Sequence, residues 1–411
     1  MKILFLYSYY KPENTSGAHL ADDLRKGLAK AGHTMQIYTP TPTRGVTKEI
    51  RREYKKKKNE TDLNGALTVH RFALFGEGKN TLLRAFRYAI CELQLLWFGL
   101  IAKKPDIIPF GSTPPINGIV ATILKKLRKI PFVYTVQDLF PESLVSTGMT
   151  REGSLLWKIG NFVSNMTYRN AEHIIVISDS MKEKLIQKGV PQDKVSVIYN
   201  WIDEDSVYPV SREENKLFSE LSLPKDKFYV TYAGNLGNSQ NVGLVVDCAE
   251  KLREYKDIQF VVFGNGSEKE KMLGKIEHLS LENISVFPMQ PYERVSEVYS
   301  LGDASFVCCK KGVGTGAFPS KAATIMATGR AVIASFDADS DLCTVINNGN
   351  AGLCSEAEDV SGAVDSILRL YNDRDLCKQL GQNGRKLIAD KFSKEKGLSA
   401  YIDIYERAVK K

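Results

Sequence analysis

The stretch GAFPSKAATIMATGRAVIAS, Gly316 to Ser335, sets a short helix directly before a buried strand. Pro319 has its ring torsion pre-set for a first helical turn, and the Ser320 hydroxyl can accept from a free backbone N–H. Ala322 to Ala327 carry about two turns, and Thr328-Gly329 stops them. Ala331-Val332-Ile333-Ala334 is short, apolar and partly β-branched, the pattern of a strand covered on both faces. A helix running straight into such a strand is one unit of a parallel sheet wrapped in helices. Lys321 falls in the first turn, where unpaired N–H groups and a partial positive charge already favour an anion. A lysine added there implies a phosphate ligand; the plain alternative is a solvated side chain that happens to fall in the first turn.

The same grammar runs through both halves of the chain. KILFLY, MQIYT, TVHRFA, DIIPF, FVYTV and HIIVIS read as strands of the first half, with SGAHLADDLRKGLAKAGH a well-patterned helix between the first two. YVTYAGN, IQFVVFG, ISVFP, ASFVCC and AVIAS recur in the second half, and Leu244 to Leu252, Glu268 to Leu279 and Arg294 to Leu301 fill the gaps as helices. The expected fold class is α/β, with two Rossmann-like domains. Residues 1–203 form the first and 204–385 the second, joined near Tyr199 to Ser211, while 386–411 is a terminal helix that can pack back across the hinge. A length of 411 residues is too great for one ordinary core.

Composition excludes several classes. Hydrophobic content of 43% and charged content of 25% belong to a soluble globular protein. The seven cysteines form no CxxC pair and no zinc-like spacing with the five histidines, so they read as reduced core thiols of a cytosolic protein. MKILFLYSYY lacks a small-residue cleavage site and reads as a first strand, not a signal peptide. The net charge of +8 divides into +12 over residues 1–203 and −4 over 204–411. Arg51-Arg52, Lys55 to Lys58, Lys103-Lys104 and Lys125 to Lys129 gather it around a helical stretch, Leu82 to Lys104, rich in Leu, Phe and Trp. Arg84, Arg87, Glu92 and Gln94 interrupt that stretch and argue against a membrane-spanning helix. Docking on an anionic membrane surface fits the basic flanks; the alternative is a helix packed on its sheet with solvated arginines. Nucleic acid is not an expected partner, because no aromatic-interleaved basic motif is present.

Ligand loops in such sheets follow the strand ends. Tyr7 to Gly17 follows the first strand, Gly234-Asn235-Leu236-Gly237 the first strand of the second half, and Gly264-Asn265-Gly266 its neighbour. None matches GxGxxG or GxxxxGK[ST], which argues against a dinucleotide oxidoreductase and a P-loop ATPase. Each glycine loop alone is most simply a tight turn. Taken together with Lys321, the three loops favour a phosphate ester in a shared cleft.

These segments resemble the retaining GT-B glycosyltransferases of family 4, most closely the bacterial transferases of capsule and O-antigen assembly that use N-acetylated amino-sugar donors such as N-acetylfucosamine. The carriers are KILFLYSYYKPENTSGAHLADDLRKGLAKAGHTMQIYT, VYTVQDLFPESLVSTGM, ISDSMKEKLIQKGVPQDKVSVIYNWID, YAGNLGNSQNVGLVVDCA, VVFGNGSE and PSKAATIMATGRAVIAS, in that order. The resemblance implies a UDP-sugar donor in the second domain, a lipid-linked saccharide acceptor at the first, and a peripheral position on the inner face of the cell membrane. It assigns the donor diphosphate to Ser320, Lys321 and nearby N–H groups, with Phe318, Pro319 and Thr324 around them. Gly234, Asn235 and Gly237 would lie under the phosphates, Gly264 and Gly266 beside the nucleoside, and Ser16 and Gly17 in a loop closing over the donor. Lys321 would stabilise the charge that grows on the leaving phosphate. Retention by a front-face route has a donor phosphate oxygen take the acceptor proton, so Asp138 and Glu142 are expected to orient hydroxyls. No cofactor or metal is called for.

The chain departs from the family pattern at several positions. Gly316 and Thr324 stand where many relatives carry paired glutamates, Gln137 where a histidine is common, and Asn235 where an arginine is common. Neither Gly316 nor Thr324 can accept as a carboxylate does, and Lys310 or Lys311 would have to help Lys321 neutralise the diphosphate. Asp337, Asp339 and Asp341 resemble a metal-binding run but follow a strand and read as loop residues. The missing glutamates also fit a non-catalytic GT-B module that binds a nucleotide sugar or acts as a scaffold, and a UDP-sugar epimerase shares the architecture.

Overall fold

The structure is a computed structural model and describes residues 1–13, 17–76, 81–146, 148–314 and 318–410. The chain forms two compact units, Met1–Ile198 with Gly397–Lys411, and Tyr199–Lys396.

In the first unit the strands are β1 (Lys2–Leu6), β2 (Thr34–Pro40), β3 (Asn59–Asp62), β4 (Leu67–Phe72), β5 (Ile108–Gly111), β6 (Phe132–Val136), β7 (His173–Val176) and β8 (Val195–Val197). They pair in the orders β1-β2-β4-β3 and β5-β6-β7-β8. A bridge between Ile3 and Ile107, with the Leu4 N–H donating to the Ile107 carbonyl at 3.1 Å, joins β1 to β5 into one layer. All pairings are parallel except the β3 edge. Leu4, Leu6, Ile108, Phe110, Phe132, Tyr134, Ile174 and Val176 point to one face and share a core there. The last helix, Lys394–Lys410, returns to this unit: Tyr401, Ile404 and Tyr405 are buried, and Leu398 packs at Gly27.

In the second unit β9 (Phe228–Asn235), β10 (Ile258–Asn265), β11 (Ile284–Phe287), β12 (Ala304–Cys308), β13 (Ala331–Ser335) and β14 (Gly352–Ser355) form one parallel sheet ordered β11-β10-β9-β12-β13-β14. Alternate residues feed two cores. Phe228, Val230 and Tyr232 join Phe260, Val262, Phe306 and Ile333 on one side, and Tyr229 and Ala233 join Val261, Phe263, Val307 and Val332 on the other. Both faces are covered, which is why these strands read as continuous apolar runs.

In the helix Thr81–Ile101 the alternative of solvated arginines holds for Arg84, which is exposed, but not for Arg87. Arg87 is 1% exposed and Glu92 3%, while Phe86 is 60%, Leu93 65% and Trp97 60% exposed. Arg87 donates to the Phe75 carbonyl and the Thr43 hydroxyl, at 3.2 and 2.7 Å, and Ser8 donates to Glu92 at 2.8 Å. Arg87 and Glu92 are thus drawn inward by partners from distant loops, and an apolar stripe is left outside. Among the described residues no helix is long and apolar enough to cross a membrane.

Candidate functional site

β9 and β10 end in register, Gly264 beside Gly234 and Asn265 beside Asn235. Past that point Leu236 N–H donates to the Asn265 carbonyl at 2.9 Å, and Glu268 N–H to the Leu236 carbonyl at 2.9 Å. The two loops therefore touch backbone to backbone. A Cβ at Gly264 would lie 2.4 Å from the Gly234 carbonyl oxygen, and one at Gly266 2.4 Å from that of Leu236. At Gly237 it would meet Gln240 Oε1 at 2.5 Å and Asn235 Nδ2 at 2.6 Å. At Gly264 and Gly266, where the neighbour is backbone, only glycine permits this closeness, whereas the side-chain ends at Gly237 can move aside.

Lys321 enters the same place from the helix Ser320–Ala327. A Cβ at Gly234, whose φ is +141°, would sit 3.2 Å from the Lys321 ammonium. That ammonium lies over the Tyr232 ring, 4.2 Å from its centre, and donates to the Tyr232 hydroxyl at 2.9 Å. The Tyr232 hydroxyl in turn donates to the Asn235 carbonyl at 2.8 Å. Among the described residues no carboxylate pairs with Lys321, and burial holds its pKa below the ordinary lysine value, opposed by the Cys308 thiol nearby. The sequence reading missed Tyr232, since a tyrosine inside a strand has the signature of core.

The helix start differs from the expectation. Pro319 is the N-cap, Ser320 is already helical, and no side chain caps the first turn. Its N–H groups thus lack a side-chain acceptor. Thr324 donates to the Ser320 carbonyl at 3.1 Å, and the Phe318 ring stacks on Phe392 at 4.9 Å. The loop after β12 reaches the glycine loop: Lys310 N–H donates to the Ser239 carbonyl at 3.0 Å and its ammonium to Asn238. Asp337, 6% exposed, accepts from Gly312 N–H at 2.8 Å and Gly314 N–H at 2.7 Å, so it acts as a clamp on this loop. Among the described residues no cluster of His, Cys, Asp and Glu could hold a metal ion.

The second unit thus brings together Gly234, Asn235, Gly237, Gly264, Gly266 and Lys321. Gly17, Asp138 and Glu142 belong to the first unit. Gly17 has φ +74° at the start of the helix Ala18–Lys30. Asp138 is exposed after β6, and its N–H faces the Ser112 hydroxyl at 3.4 Å. Glu142 heads the short helix Glu142–Ser146 and is ion-paired with Lys188, so its charge is already matched. Ser16 and Gly316 lie outside the described residues.

Both parts of the chain match models of known protein families. The Glycosyltransferase Family 4 model matches residues 17–206, and the Glycosyl transferases group 1 model matches residues 213–387. A putative colanic acid biosynthesis glycosyl transferase, WcaI of Escherichia coli (strain K12), is 26% identical over 377 residues, 89% of this chain and 91% of that protein. An N-acetylgalactosamine-N,N'-diacetylbacillosaminyl-diphospho-undecaprenol 4-alpha-N-acetylgalactosaminyltransferase of Campylobacter jejuni is 26% identical over 143 residues, 34% of this chain and 36% of its own. Among solved structures, Anabaena HepE in complex with UDP and glucose superimposes with a TM-score of 0.71 at 16% identity, covering 99% of this chain and 100% of HepE.

Proposed function

A chain made of a Glycosyltransferase Family 4 domain and a Glycosyl transferases group 1 domain is a glycosyltransferase, here of GT-B fold, and we propose that it moves an N-acetylated amino sugar from a UDP carrier to a polyprenyl-diphosphate-linked saccharide. The product would be built into a capsule, O-antigen or exopolysaccharide. The observation that carries the donor reading is Lys321: a partly buried ammonium, without a carboxylate among the described residues, set against Gly234 in the first turn of a helix that its N-cap residue does not cap. An anion there restores the charge balance that burial removes. A UDP complex of the similar HepE supports a nucleoside diphosphate as that anion.

In the proposed reaction the bond between the sugar C1 and the β-phosphate oxygen breaks, and the acceptor hydroxyl oxygen bonds to C1 on the same face. Its proton passes to a phosphate oxygen of the departing UDP, so configuration is retained. Lys321 and the first-turn N–H groups hold the charge that develops on the diphosphate, while Asp138 orients a hydroxyl. Glu142 would serve only by way of its pair with Lys188.

The lipid-linked acceptor draws support from the name of the Campylobacter relative, and a position on the membrane surface from the outward stripe Phe86, Leu93 and Trp97. Calorimetric titration with UDP, GDP and several UDP-amino sugars tests the donor. Tight binding of a UDP-sugar that weakens in Lys321→Ala is expected; equal affinity in the two proteins overturns the assignment.

A further inference from the structure

One strongly charged feature of the first unit is unused by the donor reading. The helix Lys48–Lys56 turns Lys48, Arg51, Arg52 and Lys55 to one side, where they line a pocket of about 280 Å3. Their spacing makes each a like-charge neighbour of two others one turn away, which disfavours the helix. Lys48 adds positive charge to the helix start, where the dipole is already positive. Among the described residues none of the four is paired with a carboxylate; the acids of this helix are engaged otherwise, Glu53 with Lys57 and Glu49 at the Thr47 cap. Arg51 is held in place by its bond to the Leu74 carbonyl at 3.1 Å, and its Nε is buried without a partner. Four cations on one face, Arg51 anchored with an orphaned donor and Lys48, Arg52 and Lys55 exposed beside it, form a cradle for a multiply charged anion.

What borders the cradle identifies the anion's carrier. The Arg51 guanidinium lies against Gly76, where a Cβ would come within 2.6 Å of its Nη1. The residue before, Phe75, is 41% exposed and stands 6.3 Å from the ring of Phe86. Phe86 belongs to the exposed apolar stripe that runs from Leu83 through Leu93, Trp97 and Ile101. A polar head at Arg51 thus has an apolar path leading away from it.

We propose that this cradle binds the diphosphate of a lipid-linked acceptor, with the first prenyl units on Phe75 and Phe86. The assignment rests on the acceptor class proposed above. Arginine and lysine supply donors for both phosphates, and the aromatic pair covers the adjoining hydrocarbon.

The test is calorimetry on the full chain with farnesyl diphosphate, farnesol and UDP, with sedimentation on phosphatidylglycerol vesicles in parallel. Farnesyl diphosphate is expected to bind, farnesol not, and the exposed pair Arg52→Glu/Lys55→Glu to weaken farnesyl diphosphate at least tenfold while leaving UDP affinity unchanged. A single Lys48→Glu variant should weaken it in the same direction. If the parent binds farnesyl diphosphate and the double variant binds it equally, the cradle is wrong and the acceptor class survives. If the parent binds none, the acceptor class falls and the cradle with it. Loss of vesicle binding with intact farnesyl diphosphate binding overturns the proposal in favour of bilayer headgroups.

Discussion

The Lys321 ammonium is held on Tyr232 by two contacts at once, 4.2 Å from the ring centre and 2.9 Å from the hydroxyl. The ring face attracts the cation, and the hydroxyl accepts from it while donating onward to the Asn235 carbonyl. A strand residue thus fixes a helix residue and the glycine loop together. The ammonium is positioned before any ligand arrives, which is what preorganised stabilisation of a leaving group needs.

Replacing Lys321 by alanine removes that positive charge without opening the core, since only the ammonium end lies at Gly234. The expected result is a loss of about 10² to 10³ in kcat with a melting temperature equal to the parent's or higher, because a poorly compensated buried cation is gone. Initial-rate measurements and calorimetric melting on the same preparation check both parts. Near-normal turnover sinks the assigned role.

Tyr232→Phe keeps the ring and deletes the hydroxyl. Lys321 then loses its hydrogen-bond acceptor and Asn235 its donor, at a cost to stability of about 1 kcal/mol. The donor KM should rise roughly five- to tenfold, the size of one such bond. An unchanged KM would mean that the ring alone positions the ammonium.

Asp337 was legible in the sequence only as one of three aspartates in a loop, yet its two oxygens hold Gly312 and Gly314. Asp337→Asn sets an amide N–H against a backbone N–H and should cost about 2 kcal/mol of unfolding free energy by denaturant titration. If this loop serves the donor, UDP-sugar affinity falls in step. Full affinity in a destabilised variant would confine the clamp to folding.

The sequence made the second sheet readable because β12 and β13 are buried at every position and are mostly apolar. It failed where that pressure is absent. β3 is an exposed polar edge, Asn-Glu-Thr-Asp, with no apolar alternation, and β8 is three residues long. The lysine and the glycine loops were legible because glycine and charge are local signals; Tyr232 was not, because its role depends on a helix far along the chain. In the helix Thr81–Ile101 the burial of Arg87 and Glu92 was not legible for a related reason. Both of its faces carry apolar residues, and the inward turn of Arg87 and Glu92 depends on Thr43, Phe75 and Ser8, which the helix's own pattern does not encode.

Glu92 supplies the pH prediction. Burial pushes its carboxyl up to about 7, and the Ser8 hydroxyl opposes only part of that shift. Between the ordinary value of 4.5 and about 7 the folded protein keeps a proton that the unfolded chain releases. Stability therefore falls as pH rises through this window and levels off above it. Glu92→Gln can still accept from Ser8 but has no charge to bury, so it should stabilise the protein by about 3 kcal/mol at pH 8 relative to its effect at pH 4. Chemical unfolding of both proteins at the two pH values measures that difference. A variant whose effect is the same at pH 4 and pH 8 would show that the Glu92 carboxyl ionises alike in the folded and unfolded chain, and that the inward turn of this helix does not shift it.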